Sequence, residues 1–262
     1  MTKKNRYTKI IEKIFFSHIE NGMTEVQFSR EELEKVAAKL RIRLPKNLGD
    51  IIYSFRYRAA LPKKIQDCAP EGKVWIIRPA GRSYYKFVAT TEIPIVPNKM
   101  MAETKIADAT PSLVSKYAMD DEQGLLAKVR YNRLIDIFLG LTCYSLQNHL
   151  RTTVPDIGQI ETDELYIGVD EKGVHYIIPV QAKGGTDRLS IVQIEQDFAL
   201  CTHRFPHLIC KPIAAQFIGG NLIALFVFEE STEGLKIASE RHYRLVPPEE
   251  ISIEELEIYK TR

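Results

Sequence analysis

Between residues 161 and 183 the chain sets acids against a lysine across a short polar break. Glu161, Asp163 and Glu164 lead into an apolar run to Val169. Asp170-Glu171-Lys172-Gly173 interrupts it, and a second apolar run from His175 ends in Gln181-Ala182-Lys183. Carboxylate oxygens bind Mg²⁺, which usually keeps several of its waters. A metal held this way polarises a phosphoryl oxygen and lowers the pKa of a water. An ammonium beside it stabilises the charge that builds on the phosphate. These residue types suit metal-assisted hydrolysis of a phosphodiester. Asp163 is the expected principal ligand, Glu161 the second, Gln181 a weaker neutral ligand, and Lys183 the cation.

The chemistry requires these side chains to share a face, and the break predicts that they do. A three-residue hairpin loop commonly ends in a left-handed Gly. With Glu171-Lys172-Gly173 as the loop, paired residue numbers sum to 344, so Asp163 faces Gln181 and Glu161 faces Lys183. Alternation along strands puts these four on one face and Glu164 on the other. A two-residue loop would slip the register and split the set. Leu165, Ile167, Val169, Ile177, Ile178 and Val180 make both faces apolar apart from the polar cluster. Such strands are usually buried on both sides, where charges need partners or a metal.

At these residues the chain resembles the PD-(D/E)XK nuclease superfamily, which has the restriction-endonuclease-like fold. The family pattern is an Asp on one strand, then Glu-x-Lys or Asp-x-Lys on the next. Asp163 matches the Asp, and Gln181-Ala182-Lys183 matches the triplet with Gln in the acidic slot. A literal Pro155-Asp156 lies before the strand and does not face Gln181 in this register. The resemblance covers about residues 112–230. It implies an α/β fold with a mixed sheet flanked by helices, Mg²⁺ as cofactor and double-stranded DNA as substrate. It also implies that the helix before the hairpin can contribute an acid, for which Glu122 is the candidate. Glu161, Glu122 and Glu195 compete for the place of second acid.

The elements around this hairpin follow from periodicity. Apolar spacing predicts a long helix over 121–150, with a bend at Gly140 and with Lys128, Arg130 and Arg133 facing water. Thr186-Asp187 is expected to cap a helix reaching Cys201, on which Gln193, Glu195 and Gln196 are polar positions. Strands are predicted over 208–218 and 222–229, joined at Gly219-Gly220, with an edge strand over 237–246. The spacing of Cys201, His203, His207 and Cys210 matches no common zinc finger.

Charge divides the chain. Of its 262 residues, the first 88 hold 19 Lys+Arg and 9 Asp+Glu, an excess of +10, whereas the rest hold 17 and 25, an excess of −8. A basic segment joined to an acidic one suggests a nucleic-acid-binding module beside another domain. The basic segment predicts a helix over 7–20 ended by Asn21-Gly22, a short strand over 25–28, and a helix opened by a Ser29/Glu32 capping box. A third helix over 47–60 and a hairpin turning at Pro79-Ala80-Gly81 follow. Three helices and a hairpin resemble a winged helix-turn-helix. That resemblance implies base-edge contacts from Lys46, Asn47 and Ser54, with Arg56 and Arg58 further along, and phosphate contacts from Arg78, Arg82 and Lys86.

The expected organisation is a winged-helix domain over 1–88, a linker over 89–111 punctuated by Pro94, Pro97 and Pro111, and a nuclease-like domain over 112–262. No apolar run approaches a membrane span. The start lacks the apolar core of a signal peptide, and four cysteines without a CxxC pair suggest the reduced thiols of a cytoplasm. The expected function is a Mg²⁺-dependent DNA endonuclease of the sequence-specific restriction type. A homodimer would supply two active sites for two strands. The alternatives are a non-catalytic DNA-binding regulator and a structure-specific repair nuclease.

Overall fold

The computed structural model describes residues 7–81, 83–91, 93–119, 121–155, 157–184, 189–232 and 234–261; the Arg58 side chain also lies outside the described set. The chain divides into two compact units, Met1–Pro94 with Thr152–Ile160, and Ile95–Arg151 with Glu161–Arg262.

The first unit runs α1 (Thr8–His18), β1 (Glu25–Ser29), α2 (Arg30–Leu40), α3 (Gly49–Tyr53), a π-helical turn Ser54–Arg58, α4 (Lys63–Gln66), β2 (Lys73–Pro79) and β3 (Tyr84–Thr91). Its antiparallel sheet has the order β1-β3-β2. The expected Ser29/Glu32 capping box opens α2. Ile10, Ile11, Ile14 and Phe15 face the core, where Phe15 meets Trp75 at 5.0 Å and Phe87 at 5.1 Å, both edge-on. The predicted third helix is shorter than its pattern. It starts at Gly49 and widens to π geometry from Ser54.

The second unit contains β4 (Glu103–Ala107), α5 (Ser112–Tyr117), α6 (Glu122–Tyr131), α7 (Leu134–Leu139), β5 (Thr142–Val154), β6 (Gly158–Val169), β7 (His175–Lys183), α8 (Ile191–Arg204), β8 (Ile209–Cys210), β9 (Ile213–Gly219), β10 (Leu222–Ser231), β11 (Gly234–Val246) and α9 (Ile253–Tyr259). The tip of the β5–β6 hairpin, Thr152–Ile160, belongs to the first unit. The mixed eight-stranded sheet has the order β4-β11-β10-β9-β7-β6-β5, with β8 also beside β7. β7 pairs parallel with β8 and β9, and β11 pairs parallel with β4. Leu125, Leu126 and Val129 of α6 and Leu134 and Ile135 of α7 cover one face over Ile178, Val180 and Ala182. Ile194 and Phe198 of α8 cover the other over Ala214, Ala224, Phe226 and Phe228.

Four expectations need correction here. The long helix over 121–150 is two short helices and a strand. Arg133 takes a left-handed conformation (φ +51°) between α6 and α7, Gly140 (φ +65°) ends α7, and β5 follows. The buried Asn132 amide anchors this break, donating to Lys128 O (2.9 Å) and Thr110 Oγ1 (2.9 Å) and accepting from Ala109 N (2.7 Å). The segment 89–111 is not all linker: β3 continues to Thr91, and β4 satisfies its backbone against β11. The last strand is therefore internal, flanked by β10 and β4. The cap of α8 is Ser190, whose hydroxyl and the Gln193 amide form a capping box; Thr186 and Asp187 lie outside the described residues.

Candidate active site

The hairpin carrying the acids turns as its residues predict. Gly173 adopts φ +79°, Asp170 N–H donates to Val174 O at 3.2 Å, and Gly173 N–H donates to Asp170 O at 3.1 Å. The register runs from Val169↔His175 to Glu164↔Val180, the expected sum. Past Glu164 the paired ladder stops, and this irregularity shapes the site. The Ala182 N–H donates to Asp163 Oδ2 at 2.8 Å. The Thr162 hydroxyl accepts from Gln181 Nε2 at 3.3 Å, so Thr162 reaches the face that simple alternation assigns to Asp163.

Asp163 is the centre of a charged group. Burial raises its pKa; the Ala182 N–H and the Lys183 ammonium lower it; the Glu122 and Glu161 carboxylates raise it, and the net shift is upward. Lys183 Nζ lies 2.6 Å from Glu122 Oε1, on the first turn of α6. That turn is fixed by the Asp121 cap, whose Oδ1 accepts the Gly124 N–H at 2.9 Å. The charges of Glu122, Glu161 and Lys183 thus act together on the Asp163 carboxyl, and carboxylates that act on one another favour either a proton or a cation.

Glu161 sits at the margin. Its carboxylate is held by Arg151 at 2.8 Å and His149 at 3.1 Å, both side chains being more than half exposed. Gln181 does not join the acids. It is buried (1 %), its Nε2 donates to Asp197 Oδ2 (3.0 Å) and Oδ1 (3.1 Å) and to Glu161 O (3.2 Å), and its Oε1 accepts from Gln193 Nε2 at 3.1 Å. The expected Gln181 ligand role has no open oxygen behind it in this arrangement. Glu195 is half-buried on α8.

Asp197 escaped the sequence reading. It is fully buried, and burial holds its carboxyl well above the usual range despite hydrogen bonds from Gln181 and Thr162. The available signal was its phase: it falls between Ile194 and Cys201 in the apolar stripe of α8, four residues after Gln193. Glu164 points to the side covered by α6, the helix whose Glu122 also meets Lys183, so the expected separation of Glu164 from the whole acidic set does not hold. There it is buried against Arg130, whose Nε donates to its Oε1 at 2.7 Å, and against the Tyr166 hydroxyl at 2.8 Å. Arg130 is therefore a structural partner and does not simply face water.

Among the described residues, no group of three or more His, Cys, Asp and Glu side chains is gathered to hold a metal. A Mg²⁺ site asks for less, one or two carboxylates completed by waters and substrate phosphate. Asp163, oriented by the Ala182 N–H, with Glu122 or Glu161 beside it, fits that donor set.

In the first unit, Lys46 and Asn47 are exposed, although the Asn47 side chain caps α3 by accepting from Gly49 N (3.1 Å) and donating to Asp50 (2.8 Å). The Arg56 guanidinium lies 4.8 Å over the Tyr57 ring. Ser54 and Arg78 are half-buried. Lys86 is paired with Glu25 at 2.9 Å. Arg82 and the Arg58 side chain lie outside the described residues.

Comparison with protein-family models, curated proteins and solved structures returns no match. No helix among the described residues is long and apolar enough to cross a membrane.

Proposed function

We propose that the second unit is a Mg²⁺-dependent DNA endonuclease of the PD-(D/E)XK type. The observation that carries this is the grouping of Asp163, Glu122 and Lys183, drawn from β6, α6 and β7, around one shielded carboxylate. The element order α6, α7, β5, β6, β7, α8, β8, β9, with β9 parallel to β7, supports it. Asp163 and Glu122 would hold the metal, which supplies Lewis acidity and a water of lowered pKa. The Ala182 N–H keeps the Asp163 carboxylate aimed, and Lys183 moves from Glu122 to a phosphate oxygen as charge develops there. His149 and Arg151, exposed around Glu161, meet the flanking backbone.

The first unit, on this proposal, is a winged-helix module that supplies DNA affinity. Its support is the +10 charge excess of residues 1–88, which make up most of it, and the order of helices and strands around the β1-β3-β2 sheet. A homodimer would present two sites to two strands, as a restriction-type enzyme requires. The competing reading, a non-catalytic DNA-binding regulator, draws on Gln181, whose amide is spent inside the protein.

End-labelled duplex and single-stranded oligonucleotides incubated with the purified protein and Mg²⁺ separate the two. Cleavage of duplex DNA, abolished by EDTA and by Asp163→Ala, is the expected result. Tight duplex binding without cleavage in Mg²⁺ or Mn²⁺ would favour the regulator.

A further inference from the structure

We propose that Asp197 is a positioning residue for Lys183, acting through Gln181; this rests on the nuclease reading of the same site. The Gln181 amide ties three elements together. Its Nε2 reaches Asp197 on α8 and both Thr162 Oγ1 and Glu161 O on β6, while its Oε1 takes the Gln193 amide. The next residue gives its N–H to Asp163, and the one after that is Lys183. The end of β7 is thus fixed immediately before the residues that do the chemistry. Both Gln181 and Asp197 are buried, so their contacts are not exchanged with solvent.

The same geometry explains the amide in a slot where the family pattern carries an acid. A carboxylate at position 181 would meet the Asp197 carboxylate in a buried site, and two like charges there cannot both ionise freely. One carboxylate and one amide satisfy each other, and the carboxylate stands on α8. Gln181 is therefore the complement of Asp197 and no sign of decay. Gln193, on the same helix face, settles the orientation of the Gln181 amide by donating to its oxygen.

The test is an exchange of the two groups. Gln181→Glu and Asp197→Asn are made singly and together, and each is followed by thermal melting, plasmid cleavage and the NMR signal of ¹³C-dimethylated Lys183, assigned with Lys183→Arg. Each single variant is expected to lose at least tenfold in kcat with KM little changed, to melt lower and to shift the Lys183 signal. The double variant restores one acid and one amide, and it is expected to recover the signal, the melting temperature and most of kcat. Gln181→Glu with wild-type or higher activity would overturn the proposal, since Gln181 would then be standing in for a ligand. Single variants that melt lower but leave the Lys183 signal unmoved would also overturn it, leaving a purely structural contact. Should the wild type cleave nothing, the nuclease reading fails, and the Lys183 signal alone still decides whether Asp197 sets that side chain.

Discussion

At the scale of residues, the site rests on Asp163, and its perturbed carboxyl gives a signed prediction. Its folded-state pKa lies above its unfolded value, because burial and the Glu122 and Glu161 charges outweigh Lys183 and the Ala182 N–H. The folded protein therefore holds that proton more tightly. The stabilisation is fully present below the unfolded pKa and is lost as pH rises through the folded pKa. Asp163→Asn should accordingly raise the melting temperature of the metal-free protein, by a margin that grows from acid to neutral pH, while abolishing cleavage. Melting curves of both proteins in EDTA across that range check it, and a lower melting temperature at neutral pH would contradict it. Lys183→Ala should lower kcat by about 10²- to 10³-fold, the usual cost of losing one preorganised charge partner of a transition state. Asp163 and Lys183 stand out by residue type and spacing, and Glu122 is the acid that the nuclease resemblance implies on the preceding helix; its pairing with Lys183 is visible only in the structure. Asp197 does not stand out, because an Asp inside an apolar helical stripe is recognisable only once its partner Gln181 is known to point at it.

At the scale of elements, the β6–β7 hairpin was readable because a Gly-ended loop leaves one register, and that register holds to Glu164↔Val180. The departure beyond it was not readable. It depends on the Asp163 side chain taking a backbone N–H, a choice made by neighbours on other elements. The failed long helix has a similar cause. Leu134 to Tyr144 keeps a helical phase through Leu141, and only Gly140 in a left-handed cap, with the β-branched Thr142 after it, turns the chain into β5. The first turn of α6 is placed tightly. A Cβ on Gly124 would come within 1.9 Å of Met119 O. Gly124→Ala should therefore displace Glu122 and lower cleavage about tenfold or more through misplacement, which single-turnover rates would read; an unchanged rate would detach α6 from the chemistry. Arg130→Ala should be costly for stability, about 3 kcal/mol, because the fully buried Glu164 loses its guanidinium partner and keeps the hydroxyls of Tyr166 and Ser145 as donors. Urea unfolding measures that cost.

At the scale of the molecule, the proposal gives DNA affinity to the basic N-terminal segment, since phosphate neutralisation supplies affinity without sequence, and metal binding to the acidic remainder of the chain. The charge division was plain in the sequence, whereas the boundary was not, because β4 returns from the apparent linker to the far side of the second sheet. DNA affinity should fall steeply with salt. Lys46→Ala and Arg78→Ala should each weaken binding across sequences and reduce the log–log salt slope by about 1; fluorescence anisotropy of a labelled duplex at several salt concentrations reads this. The central claim is tested most directly by supercoiled plasmid incubated with the whole protein in Mg²⁺, beside Asp163→Asn and Lys183→Ala. Conversion to nicked or linear DNA by the wild type, lost in both variants and in EDTA, is the predicted result. Plasmid left intact by a wild type that still binds it, or cleaved equally by both variants, would contradict it.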